Sequence, residues 1–137
     1  MKFHIALMRT HIVFHRKLYG RLVETKLTTG QPKVLDYLSE HDGSVQKDIA
    51  TACQIEPATV TNLLYRMEEA GLIERKSKQG NRRSLYVYMT ERGRAEQQKV
   101  TEAFRQLDEG VFEGFDEDEK KQFITMFERV YDNLSNM

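Results

Sequence analysis

Three groups of side chains in this 137-residue sequence have types and spacings suited to chemistry. The first lies in the run from Pro57 to Met67. If Val60, Leu63, Leu64 and Met67 form the inner face of a helix, the outer face holds Pro57, Ala58, Thr59, Thr61, Asn62, Tyr65 and Arg66. Asn and Arg can bond in bidentate fashion to adenine and guanine edges, while Thr and Ala can meet the thymine methyl. The second group is Lys76, Lys78, Gln79, Asn81, Arg82 and Arg83, set around Gly80. Taken alone, such a stretch is a solvated turn. Beside a helix of the first kind it becomes a cationic loop that can reach a phosphate backbone or a minor groove. The third group is His4, His11 and His15, which fall on one helical face. Two His at i, i+4 can grip a metal, but no acid or Cys nearby completes the set, so a polar or pocket-lining stripe is the simpler reading.

The elements that position these groups follow from periodicity. Residues 2–25 read as a helix that is apolar nearly all round, which a small chain buries best against a second subunit. Thr28 and Gln31 have capping-box spacing and open a second helix through Val34, Leu35 and Leu38, ended by His41-Asp42-Gly43. Ser44 is placed to cap a short third helix with Ile49, Ala50 and Cys53 inward. Gln54-Ile55-Glu56 is a tight connection, and Pro57 suits the first position of the fourth helix, which runs to about Ala70 before Gly71.

The period then changes. Leu72 to Lys76 and Arg83 to Met89 read as a β-hairpin, with Leu85, Val87 and Met89 on one face and Tyr86 and Tyr88 on the other. Thr90 can cap a fifth helix, and Asp116 with Glu119 opens a sixth. That last helix carries one clean stripe of Phe123, Ile124, Phe127, Val130, Tyr131 and Leu134. The expected fold class is mainly α with a small β-hairpin wing: a winged helix-turn-helix with N- and C-terminal dimerisation helices. Its expected parts are an N-terminal dimerisation helix at 1–30, a DNA-binding domain at 31–94 and C-terminal dimerisation helices at 95–137.

Composition narrows the classes. The net formal charge is zero, from 21 basic and 21 acidic residues. The blocks differ, however: 1–30 carries net +5, 31–56 net −3, 57–95 net +4 and 96–137 net −6. Two positive blocks and an acidic end suit a protein that turns one face to phosphates. A single cysteine, Cys53, rules out an intramolecular disulfide. No stretch approaches the roughly 18 apolar residues that span a bilayer, so no membrane partner is expected and the cytoplasm is the expected compartment. Neither a Gly-rich phosphate loop nor a recognisable Ser/His/Asp spacing is present, no cofactor is implied, and no catalytic residue is assigned. The acidic run from Asp116 to Glu119 lacks the alternating ligands of a calcium loop and reads as a helix start.

Four runs carry a specific resemblance. They are Ser44–Ala50 (SVQKDIA), Ile55–Asn62 (IEPATVTN), Glu68–Arg75 (EEAGLIER), and Asn81-Arg82-Arg83 followed by Met89–Arg94 (MTERGR). Together they resemble the MarR family of bacterial transcriptional regulators over nearly the whole chain. The resemblance implies a homodimer joined through its first and last helices and bound to a pseudo-palindromic duplex operator. It further implies repression relieved by a small phenolic or anionic effector, or by cysteine oxidation. Phe14, His15 and Tyr37 are the candidate effector-pocket residues.

Three departures stand out. Gln54 occupies a turn position where the family often has Gly, so a non-Gly residue is expected in a left-handed conformation. Asn81 stands where Asp is common, so any bracing of Arg83 becomes a neutral hydrogen bond. Cys53 lies in the helix-turn-helix rather than in the first helix, and reads as a small buried hydrophobe. Two rivals are a winged-helix protein-interaction module without DNA binding and a small enzyme at the dimer interface. The polar outer face of 57–66 and the basic hairpin disfavour the first, and no motif supports the second.

Overall fold

The computed structural model describes residues 1–78 and 81–137, without the side chains of residues 81–83. Six helices are described, α1 (Phe3–Arg21), α2 (Gln31–His41), α3 (Gln46–Ala52), α4 (Pro57–Glu69), α5 (Glu91–Val111) and α6 (Glu117–Ser135). Three strands join them, β1 (Ser44–Val45), β2 (Ile73–Lys78) and β3 (Asn81–Met89). The sheet is antiparallel in the order β1-β3-β2. The expected class, mainly helical with a small β wing, is therefore the observed one.

The chain forms two compact units, Met1–Phe104 and Arg105–Met137. The core of the first comes from α2, α3, α4 and the base of the hairpin. Val34, Leu35, Leu38, Ile49, Leu64, Met67 and Val87 are wholly buried there, and Val100 of α5 joins them. The second unit holds a ring cluster in which Phe123 meets Phe112 at 5.8 Å and Phe127 at 5.6 Å between centroids.

Three expectations about element ends are corrected. The first helix stops at Arg21 and not near residue 25; a 3-10 turn occupies Val23–Thr25. There the Thr25 hydroxyl donates to the Leu22 carbonyl and accepts the Leu27 amide, so the side chain competes with the helical ladder. Only half of the Thr28/Gln31 capping box forms. Gln31 Oε1 accepts the Thr28 amide at 3.0 Å, but the helix begins at Gln31 behind Gly30, with Pro32 in its first turn. Ser44 caps nothing: its hydroxyl donates to the His41 carbonyl at 2.6 Å, and its backbone pairs with Val87 as strand β1. The pull of β3 overrides the local capping signal.

Other expectations hold. Thr90 Oγ1 accepts the Gly93 amide at 3.0 Å and so caps α5. Asp116 and Glu119 form a reciprocal capping box on α6. Gln54 takes φ 54°, the expected left-handed turn residue between α3 and α4.

Candidate nucleic-acid interface

The outer face of α4 is the centre of the site. Pro57 starts the helix with its fixed φ, and Val60, Leu63, Leu64 and Met67 are all buried against the core. The helix is thereby held by one side. Pro57, Ala58, Thr59, Thr61, Asn62, Tyr65 and Arg66 are all exposed on the other, Tyr65 to 52%. Among the described residues the side chains of Thr59, Asn62 and Arg66 have no hydrogen-bond or ion-pair partner, so their polar groups are available to a ligand.

Thr61 differs from its neighbours. Its hydroxyl donates to the Pro57 carbonyl at 3.0 Å and accepts Gln46 Nε2 at 2.7 Å. Gln46 is the first residue of α3, so this bond ties the bracing helix to the exposed face. A cavity of about 380 Å³ opens beside it, lined by Gln46, Lys47, Thr51, Ile55, Pro57 and Thr61 among others. The sequence reading missed Gln46, Lys47 and Thr51. A polar, basic start to the short third helix was the available signal.

The wing follows from the register of its hairpin. Glu74 pairs with Tyr88, and Lys76 with Tyr86, so these four side chains share one face. Lys76 Nζ lies 5.6 Å from the Tyr88 ring centre, and Lys78 Nζ 4.2 Å from that of Tyr86. Lys76 also pairs with Glu74 at 3.3 Å. Aromatic faces thus order both lysines while leaving them exposed. Gln79 falls outside the described residues, and so do the side chains of Asn81, Arg82 and Arg83, including any bracing of Arg83.

The other face of β2 fastens the wing to α4. Arg75 donates through its guanidinium to Glu68 Oε1 at 3.2 Å and through its backbone amide to Glu68 Oε2 at 3.1 Å. The Arg75 guanidinium holds the Glu68 carboxyl below the usual carboxylate range, against a smaller opposing effect of burial. At the base of the wing, Asp42 Oδ1 accepts the Met89 amide at 2.8 Å while Oδ2 accepts from Arg94 at 2.9 Å.

The three effector-pocket candidates meet different ring partners. Phe14 stacks on Phe104 at 6.4 Å, His15 lies 4.4 Å from Tyr19, and Tyr37 stacks on His41 at 4.6 Å. Tyr37 also borders a cavity of about 400 Å³ with Lys33, Asp36, His41 and Cys53. Cys53 is buried, and its Sγ contacts the Lys33 carbonyl at 3.6 Å. Burial pushes its thiol pKa up, and Lys33 partly offsets this. His11 and His15 stand 6.2 Å apart, and no cluster of three or more metal-ligating side chains occurs among the described residues.

Among the described residues two helices keep apolar faces uncovered. On α1, Phe3, Met8, Ile12 and Val13 are exposed and only Leu18 is buried. On α6, Phe123, Ile124, Phe127, Tyr131 and Leu134 are exposed and no residue is buried. Among the described residues no helix is long and apolar enough to cross a membrane.

Comparison with known proteins agrees with this geometry. The family model described as "MarR family" matches residues 27–85. The HTH-type transcriptional repressor IacR of Pseudomonas putida is 28% identical over 131 residues, covering 96% of this chain and 78% of IacR. An uncharacterized HTH-type transcriptional regulator of Bacillus subtilis, YwhA, is 29% identical over 97 residues, covering 71% of this chain and 70% of its own. Among solved structures, the S. aureus MepR–DNA complex superposes with a TM-score of 0.85 at 25% identity, covering 98% of each chain.

Proposed function

We propose that this chain is a MarR-family regulator that binds duplex DNA sequence-specifically and represses transcription. One observation carries the reading. Helix α4 is anchored by four buried apolar residues and presents an unbroken exposed polar face beside a wing of ordered lysines. A major groove admits one such helix, and the wing then lies against backbone or minor groove.

In this reading Thr59, Thr61, Asn62 and Arg66 read bases, with Pro57, Ala58 and Tyr65 completing the contact. Lys76, Lys78, Gln79, Asn81, Arg82 and Arg83 contribute affinity from the wing. Residues 31–94 bind DNA, and 1–30 with 95–137 join two copies into a homodimer. The uncovered apolar faces of α1 and α6 support that assignment, since faces of this kind are costly to leave in water. A homodimer calls for a pseudo-palindromic operator. Release by a small phenolic or anionic effector belongs to the same reading, with Phe14, His15 and Tyr37 near its pocket. The place of action is the cytoplasm.

The test is fluorescence anisotropy of the protein with DNA flanking its own gene, against scrambled duplex, over a salt series. Preferential binding that weakens steeply with salt is expected, the slope counting the phosphates neutralised. No binding to either duplex at low salt would overturn the reading.

A further inference from the structure

The geometry points to Thr61 as a reader of the thymine methyl group, with Gln46 as the residue that positions it. The inference rests on the DNA-binding reading above. A threonine on an exposed recognition face has two things to offer a base: a hydroxyl and a methyl. Here the only hydroxyl proton goes to the Pro57 carbonyl at 3.0 Å, and one oxygen lone pair receives Gln46 Nε2 at 2.7 Å. With its proton used inside the protein, Thr61 cannot donate to the guanine O6 and N7, adenine N7 or thymine O4 acceptors of the major groove. Its Cγ2 methyl remains, beside a single oxygen lone pair. The one apolar feature that base edges present in that groove is the C5 methyl of thymine.

The surroundings agree. Ala58 lies three residues earlier on the same helical face and adds a second methyl. Asn62 is exposed without a partner among the described residues, and its amide suits adenine N6 and N7. Two methyls and a free carboxamide in one patch match adenine–thymine pairs better than guanine–cytosine pairs. Gln46 is the lock. It is half-buried at the start of α3, and its Oε1 is buried with no partner, so the amide is held by packing and by the Thr61 bond. Removing it frees a second lone pair of the Thr61 oxygen for base donors and releases the hold on the side chain.

The test selects a duplex from a random library with the full-length protein, then replaces each thymine in turn by deoxyuridine. That exchange deletes the methyl alone and keeps every hydrogen bond. At one thymine per half-site the replacement is expected to weaken binding roughly fourfold, the worth of one buried methyl. Thr61→Ser should abolish that penalty at that position and leave other positions as they were. Thr61→Val, which keeps a methyl and loses the hydroxyl, should retain it. Gln46→Ala should shrink the ratio of thymine to deoxyuridine affinity at that position. A penalty unchanged in Thr61→Ser, one lost equally in Thr61→Val, or no sensitive thymine at all would each overturn the inference while DNA binding stands. Failure to enrich any duplex would instead overturn the DNA-binding reading, and this inference with it.

Discussion

Asp42 and Arg94 lie 52 positions apart in the chain and meet at 2.9 Å, where one carboxylate joins the end of α2, the base of the wing and the first turn of α5. Its second oxygen holds the Met89 amide at 2.8 Å. The position from which the wing projects is thereby tied to the helix that follows it.

Asp42→Ala should destabilise the protein by about 1–3 kcal/mol, because the Met89 amide loses its acceptor in a partly buried site. Asp42→Asn keeps an acceptor oxygen for Met89 and removes only the charge pair with a half-exposed Arg94, so its cost should be clearly smaller. Urea denaturation of both variants checks this. Equal losses would show that the amide bond contributes little.

Gly93 and Gly20 are both helical, and alanine should affect them in opposite directions. A Cβ at Gly93 would run into the Leu72 carbonyl, which is backbone and cannot swing aside. Gly93→Ala should cost about 1–3 kcal/mol or more through overpacking. Gly20 has nothing within 4 Å of its would-be Cβ, so Gly20→Ala should gain about 0.5–1 kcal/mol from helix propensity. Thermal melts of the two variants separate the cases.

The Glu68–Arg75 pair makes a pH prediction. The Arg75 guanidinium lowers the folded-state pKa of Glu68 below its unfolded value. The resulting stability is therefore fully present above the unfolded value, about 4.3 for Glu. It is lost as the pH falls through the lowered folded value. The stability gap between the parent and Glu68→Gln should be constant from pH 7 to about 5 and close below that. Glu68 is 37% exposed, so solvent screening keeps the gap small. Urea melts at four pH values measure it, and a gap that widens toward acid would contradict the assignment.

Base-reading and phosphate-binding residues should separate in how their loss of affinity is distributed across sequences. Asn62→Ala should cost roughly 1–3 kcal/mol at particular base pairs and little elsewhere. Arg82→Ala, argued from the sequence of the wing, should weaken binding to most duplexes alike and lower the salt slope by about one. Anisotropy titrations over an operator mutant set and a salt series test both. A uniform loss for Asn62→Ala would remove it from base readout.

Much of the site was legible because its signals are local. The buried side of α4 follows from the spacing of Val60, Leu63, Leu64 and Met67 alone, and the exposed face is what remains. Helix ends with their own hydrogen-bonding chemistry were equally plain, as at Thr90 and at Asp116 with Glu119. Of the misread ends, those near Arg21 and Gln31 turn on local bonds of Thr25 and Gln31, and only at Ser44 does a distant partner compete. Ser44 has the composition of a cap, but β3 recruits its backbone from 43 residues away, and a two-residue strand leaves no periodicity to detect.

The sequence by itself determined the order of elements and the inner and outer faces of α4, since each depends on neighbours within about one or two helical turns, and its resemblance to the family implied the left-handed turn at Gln54. Only the tertiary structure decided how those faces are finished. Gln46 Nε2 reaches Thr61 Oγ1 from 15 residues away and occupies one of its lone pairs, while the Thr61 proton goes to Pro57 within the helix. Arg75 finds Glu68, the wing lysines settle over Tyr86 and Tyr88, and Asp42 finds Arg94. These pairings depend on three-dimensional proximity and register, which no pattern along the chain encodes in a readable period.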